Sequence, residues 1–356
     1  MNKQYWAKRL QNTEPYIPGE QPKDRRYVKL NTNENPYPPS PSVQEALKNV
    51  AMSDLRLYPD PDCLQLRTAL AQQQGLSPEQ VFVGNGSDEI LAFSYLAFMD
   101  ENNPAIFPDI TYSFYPVYAA FFGNNTRIVP VREDFSIPLE ELCKNDGTVV
   151  LTNPNAPTGM AVSLPEIEGI LKANPDHVVI VDEAYVDFGA ESAVPLIGKY
   201  DNLLVVQTCS KSRSLAGMRI GFAFGCPDLI AALNTVKNSV NSYTLDRMAL
   251  AAAQAAVEDR VYMDDTCSRV SNTREITVGK LKNMGFTVLP SKANFVFASH
   301  PGVPGQELFQ KLRERGVLVR YFNKPRIHEF LRITIGTPEE MDALTGALEE
   351  ILEGYK

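Results

Sequence analysis

A lysine and an aspartate set the chemistry open to this chain. Lys211 stands in Thr208-Cys209-Ser210-Lys211-Ser212-Arg213-Ser214-Leu215-Ala216-Gly217-Met218-Arg219-Ile220-Gly221, shortly after the apolar run Leu203-Leu204-Val205-Val206. Asp182, twenty-nine positions earlier, closes another apolar run, Val178-Val179-Ile180-Val181. A lysine amine condenses with an aldehyde to a Schiff base, and a buried carboxylate needs a cationic partner to stay ionised. The pair therefore matches the two needs of pyridoxal 5'-phosphate, an imine tether and an anion against the pyridinium nitrogen that makes the ring an electron sink. Taken singly, Asp182 also reads as a helix cap and Lys211 as a solvated surface group. Their order, each at the end of an apolar strand candidate, favours the cofactor reading.

Three further segments could serve the same ligand. Gly84-Asn85-Gly86-Ser87-Asp88 leads from Val81-Phe82-Val83 into an apolar helix candidate, and a glycine turn into a helix N-terminus offers free N–H groups to a phosphate. Arg219, between Gly217 and Gly221, suits a bidentate phosphate contact. Asn153-Pro154-Asn155-Ala156-Pro157-Thr158-Gly159 follows Val149-Val150-Leu151-Thr152, a stiff turn able to set amide side chains against a ring oxygen. Alone, each also reads as a plain turn or a surface ion pair.

The elements that must position these residues alternate. Short β-branched runs at Val81-Val83, Ala105-Phe107, Ile128-Val131, Val149-Thr152, Val178-Val181, Leu203-Gln207 and Gly221-Phe224, mostly with helical stretches between them, predict an α/β fold whose mostly parallel sheet is covered on both faces. Ligands of such sheets sit at the carboxyl ends of the strands. Beyond Cys226 helices dominate to Met284, then Thr287-Leu289, Phe295-Ala298, Val317-Arg320 and Leu331-Ile335 alternate with helices, predicting a smaller α+β domain. Residues 1–41, rich in proline, asparagine and charge, read as an extended arm packing on that smaller domain. The expected division is 1–41 arm, 42–250 large cofactor domain and 251–356 small domain.

The formal charge of −9 disfavours nucleic acid and anionic membranes and leaves small metabolites as ligands. Five widely spaced cysteines, none in C-x-x-C register, predict free thiols in a reducing compartment, and three histidines argue against a metal site. The start of the chain has no signal-peptide pattern and no run of apolar residues is of spanning length, so the cytoplasm is the expected location.

In this order the segments resemble the fold type I pyridoxal-phosphate aminotransferases over nearly the whole chain. Leu30-Asn31-Thr32-Asn33-Glu34-Asn35-Pro36, Leu57-Tyr58-Pro59-Asp60-Pro61, the Gly84–Glu89 segment, Leu331-Arg332-Ile333-Thr334-Ile335-Gly336 and Tyr16-Ile17-Pro18-Gly19 are similar to the histidinol-phosphate branch of that family. The resemblance implies that Lys211 tethers the cofactor and carries protons, Asp182 holds the pyridinium nitrogen, and Tyr185 donates to the ring's phenolic oxygen. It further implies that Tyr112 stacks on the ring and that Gly86, Ser87, Ser210 and Arg219 hold the phosphate. Tyr58 would reach in from the other subunit of a homodimer. One position departs from the family, which has asparagine immediately before Pro-Thr-Gly where this chain has Ala156; Asn155 or Asn153 is the candidate replacement, or Tyr185 acts alone. Arg320 and Arg332, twelve positions apart, match the branch's substrate-binding pair, with Tyr16 and Asn33 completing the pocket.

The activity so implied is transamination of L-histidinol phosphate with 2-oxoglutarate, giving imidazole-acetol phosphate and glutamate in histidine biosynthesis. Threonine-phosphate decarboxylation, aromatic amino acid transamination and a binding protein that has lost catalysis are the competing readings. The intact set Lys211, Asp182 and Arg219 weighs against the last of these.

Overall fold

The computed structural model describes residues 3–11 and 13–355. Its strands are β1 (Val28–Lys29), β2 (Val81–Gly84), β3 (Ala105–Pro108), β4 (Thr126–Val129), β5 (Thr148–Thr152), β6 (Val179–Asp182), β7 (Leu203–Thr208), β8 (Gly221–Gly225), β9 (Thr287–Val288), β10 (Phe295–Ser299), β11 (Val317–Leu318), β12 (Arg320–Tyr321) and β13 (Phe330–Thr334). Strands β2 to β8 form one sheet in the order β2-β8-β7-β6-β5-β3-β4. Every pairing in it is parallel except those of β8 with β2 and β7.

Both faces of this sheet are buried except along the edge strand β4, which is why its inner strands read as unbroken apolar runs. Val179, Val181, Leu203 and Val205 face one cluster with Leu66, Leu70, Ile167 and Ile170 from the helices Leu64–Gln74 and Leu164–Ala173. Ile180, Leu204 and Val206 face the other, with Ile90, Leu91 and Phe93 of the helix Gly86–Phe98. Parallel packing of β6 on β7 brings their carboxyl ends to the same edge, with Asp182 opposite Val206.

A second layer holds the antiparallel sheet β12-β13-β10-β9 and the parallel pair β1-β11. Leu30, Phe295, Leu331, Ile333, Leu344 and Leu348 form its core. The helix Arg247–Glu258 still packs on the large-sheet cluster through Ala249, Ala252, Ala253 and Val257, so the packing changes hands at Asp259, beyond the 250/251 division expected from the sequence. No helix among the described residues is long and apolar enough to cross a membrane.

Two expectations change. The arm is not simply extended: it contains a short helix, Lys8–Gln11, and its end enters the fold as β1, with Leu30 buried and its N–H on the Leu318 carbonyl. The single strand expected over Val317–Arg320 divides, because Val317 and Leu318 pair with the arm while Arg320 and Tyr321 pair with β13.

Candidate active site

The carboxyl ends of β6 and β7, the start of the helix Gly86–Phe98, the arm and β13 enclose a cleft of about 520 Å³. Asp182 and Lys211 both line it, as the strand order requires. Asp182 is buried and has no basic side chain paired with it among the described residues; its oxygens accept from the Tyr115 hydroxyl at 2.8 Å and the Ala184 N–H at 3.3 Å. Burial pushes its pKa up to about 6, and the Tyr115 bond restrains the rise. A carboxylate so placed calls for a cation, and a pyridinium nitrogen would supply it.

Lys211 Nζ donates to the Thr32 carbonyl at 3.1 Å and sits 5.8 Å from the Tyr185 ring centroid. Burial, then the nearby Arg332 charge, lowers its pKa to about 8, so an appreciable fraction of the amine is free at mildly alkaline pH. The segment Asn31–Asn35 wraps around it. Asn35 Nδ2 donates to the Lys211 carbonyl at 3.0 Å, Asn33 Nδ2 to Tyr185 Oη at 3.0 Å, and the Asn31 carbonyl accepts from Arg332 at 3.1 Å. Glu34, with Lys29 at 2.6 Å and the Thr32 hydroxyl at 2.7 Å, places a carboxylate on the same wall.

At the other end of the cleft Ser87 and Arg219 meet the helix N-terminus. Gly86 has φ 78°, and a Cβ there would lie 2.5 Å from the Arg219 guanidinium. A Cβ on Gly221 would fall on the backbone of Gly86 and Ser87. This is a cradle of N–H groups, a helix dipole and a guanidinium, suited to a phosphate dianion. Ser210, buried, is held 3.0 Å from Thr208 Oγ1 with its residue on the cleft wall. Arg219 meanwhile reaches Asp88 at 3.1 Å, and the other oxygen of Asp88 accepts from Tyr112 Oη at 2.8 Å. We expect Gly221→Ala to wedge β8 from the helix start at a cost of about 1–3 kcal/mol. A lowered melting midpoint of the cofactor-free protein, together with weakened uptake of inorganic phosphate, checks it.

A further wall of the cleft is cationic. Arg320 and Arg332 are directly opposed on β12 and β13, an arrangement that repels unless an anion lies between or beside them. Neither is in an ion pair among the described residues. Arg320 donates to the Ile17 and Pro18 carbonyls at 3.0 and 3.3 Å, and Arg332 Nε is buried without a partner. Burial, with Arg320 among the contributors, lowers the Arg332 pKa. Tyr16 lies over this end, stacked on Phe114 with ring centroids 4.3 Å apart.

Tyr185, Tyr112, Ser87, Ser210, Arg219, Arg320, Arg332, Tyr16 and Asn33 thus come together with Lys211 and Asp182, and Gly86 lies just behind Ser87. Three residues do not join them. Asn155 is turned into the loop, donating to the Ile110 carbonyl at 2.9 Å and Thr158 Oγ1 at 3.1 Å while accepting from Thr111, and the wall carries the Ala156 methyl instead. Asn153 is likewise engaged with Val162. Tyr58 is 77% exposed on the outside of the chain, stacked on Tyr243 at 4.6 Å. Asp88, Thr32 and Glu34 also line the cleft and Tyr115 reaches Asp182; none of the four is expected at the site from the sequence, although Asp88, Thr32 and Glu34 stand inside segments quoted above.

A family model described as aminotransferase class I and II matches residues 25–348. A histidinol-phosphate aminotransferase from Acinetobacter baumannii is 57% identical over 349 residues, spanning 97% of this chain and 97% of that protein. One from Clostridium beijerinckii is 53% identical over 348 residues, 98% of this chain and 97% of that one. The crystal structure of histidinol-phosphate aminotransferase from Sinorhizobium meliloti in complex with pyridoxal-5'-phosphate matches with a TM-score of 0.85 at 26% identity, covering 93% of each chain. With a Schiff-base lysine candidate, a buried carboxylate and an anion cradle in one cleft, and with these matches along nearly its full length, the chain belongs to the class I and II aminotransferase family.

Proposed function

We propose that this chain transaminates L-histidinol phosphate with 2-oxoglutarate, using pyridoxal 5'-phosphate, in histidine biosynthesis. The observation that carries the reading is the placing of Lys211 and Asp182 at adjacent strand ends, in a cleft whose far wall holds two arginines without anionic partners. The relatives at 53–57% identity support the substrate assignment. When bound, the cofactor supplies an electron sink that stabilises negative charge at the substrate's α carbon.

The protein's own groups would do the rest. Lys211 Nζ would tether the cofactor and would take and return the substrate's α proton, a task suited to an amine that burial holds near pKa 8 in the cofactor-free cleft. Asp182 holds a positive ring nitrogen, and the Tyr115 hydroxyl fixes the carboxylate in place. Ser87, Ser210, Arg219 and the helix N-terminus would hold the phosphate, and Tyr112, on the cleft wall with its hydroxyl pinned to Asp88, would stack on the ring. Arg320 and Arg332 take the donor's phosphate in one half-reaction and the carboxylates of 2-oxoglutarate in the other.

The test is half-reaction spectroscopy on the cofactor-loaded protein. Histidinol phosphate should bleach the visible band faster than phenylalanine, and 2-oxoglutarate should restore it. Release of carbon dioxide from threonine phosphate, or a preference for phenylalanine, would replace the assignment. Arg320→Gln is expected to raise KM for histidinol phosphate about 10- to 100-fold, the worth of a charged hydrogen bond, while moving the phenylalanine half-reaction less.

We further infer a homodimer with shared sites. Met52, Leu55, Leu57, Tyr58, Leu64 and Tyr243 are exposed close together in sequence or packing, a patch of the kind that marks an interface. Sedimentation should give twice the chain mass. Tyr58→Phe should weaken cofactor retention about tenfold without changing that mass, as loss of one hydrogen bond to a phosphate would. Five cysteines, none in a disulfide, accord with work in the cytoplasm.

A further inference from the structure

Asn33 lies under the cleft, 1% exposed, with φ 55°. Its amide has partners on two sides. Nδ2 donates to Tyr185 Oη at 3.0 Å, and Oδ1 accepts from Thr334 Oγ1 at 3.0 Å. The Asn33 backbone N–H also donates to Thr334 Oγ1 at 3.0 Å, so that oxygen accepts there and its own proton must find another acceptor. Thr334 is 2% exposed. Turning the amide over would bring two donors to Thr334 Oγ1 and break the bond its hydroxyl donates to Asn33 Oδ1. Satisfaction of all four groups therefore fixes the amide with its NH₂ toward Tyr185.

The consequence falls on the phenol. Tyr185 Oη already receives a hydrogen bond from Asn33, so its single proton is free to point elsewhere, and the open side is the cleft. Accepting from Asn33 also polarises the O–H and strengthens it as a donor. The neighbouring wall gives no help at this point: Ala156 presents a methyl group, and the amides of Asn155 and Asn153 are committed to the loop.

We propose that Asn33 is a positioning residue that fixes Tyr185 as a one-way hydrogen-bond donor into the cleft, so that Tyr185 serves the cofactor's phenolic oxygen without an amide at position 156. This deepens the proposed function and rests on it. Asn33 then acts through Tyr185, not on the substrate as the sequence suggested. The geometry also explains an asparagine here, because φ 55° is a backbone region that asparagine, aspartate and glycine enter at least cost.

A donor at the phenolic oxygen stabilises negative charge there and keeps low the pH midpoint at which the loaded protein's visible band titrates; losing the donor raises it. The charged and titratable groups facing Tyr185 are Arg332 from β13, Asp182 from β6, Lys211 after β7 and Tyr16 from the arm, and all are unchanged in the variants. Asn33→Asp offers a carboxylate that takes the phenol's proton for itself. It should raise the band's midpoint by about one pH unit or more in the wild-type background, and by less than half as much in Tyr185→Phe. Asn33→Gly keeps the backbone conformation and removes the amide; should the aspartate variant not fold, it carries the same comparison with the same dependence on Tyr185. No rise, or a rise at least half as large without the phenol, overturns the proposal. A wild-type protein that shows no visible band with pyridoxal phosphate removes the functional reading and this one together, whereas a normal band with shifts indifferent to Tyr185 removes this one alone.

Discussion

Lys211→Ala is expected to cut turnover on the order of 10⁴-fold or more and to erase the visible absorbance of the loaded protein, because the residue is both the tether and the proton carrier. Lys211→Arg should be nearly as inactive: it keeps the charge, but a guanidinium neither condenses with an aldehyde nor gives up a proton near neutral pH. Neither loss should come from unfolding. The Lys211 amine is held near pKa 8, below its ordinary 10.5, chiefly by burial and then by Arg332. A base whose folded pKa is depressed disfavours the folded state wherever it is charged; that cost is full below about pH 8 and fades as pH rises toward the unfolded value. At pH 7 cofactor-free Lys211→Ala should therefore melt no lower than wild type. A variant that kept the band or the turnover would remove Lys211 from its assigned role.

What could be read before any coordinates were known divides along physical lines. The sheet was legible because strands covered on both faces leave near-continuous apolar runs, as in Val179–Val181 and Leu203–Val206, and because parallel neighbours must expose their carboxyl ends together. Asp182 and Lys211 followed, since residue type and position at a strand end are both local. The Asn31–Asn35 network was not legible. Its bonds join the arm to Tyr185, Lys211 and Thr334, partners 152 to 301 residues away, and no periodicity reports such closures. Which of Asn155 and Ala156 faces the cleft depends on the path of a proline-rich turn, a matter of one residue that flips the outcome. β1 is two residues long, too short to leave a pattern. Tyr58 looks away from its own cleft, so its assigned place needs a second chain that one sequence does not display.

Asp182→Asn should separate catalysis from stability with opposite signs. Turnover is expected to fall about 10²- to 10³-fold, the usual worth of a preorganised charge opposite the reacting system, because an amide holds no negative charge against the ring nitrogen. The cofactor-free protein should gain stability. Burial raises the Asp182 pKa to about 6 from an ordinary 3.8, a difference of roughly 3 kcal/mol between protonation states. A carboxyl whose folded pKa is raised binds its proton more tightly in the folded state. The penalty for burying its anion is therefore complete above about pH 6 and is relieved as pH falls toward 4. Cofactor-free Asp182→Asn should consequently melt above wild type at pH 8, with the gap closing by about pH 4, and the Tyr115 hydroxyl can still donate to the amide oxygen. Glu183, fully buried beside it and raised to about 7, is common to both proteins and largely cancels in the comparison. A cofactor-free variant less stable than wild type at pH 8 would mean that Asp182 is already compensated within the chain. Its poised, partnerless charge would then no longer explain why the cleft should hold a cationic ring.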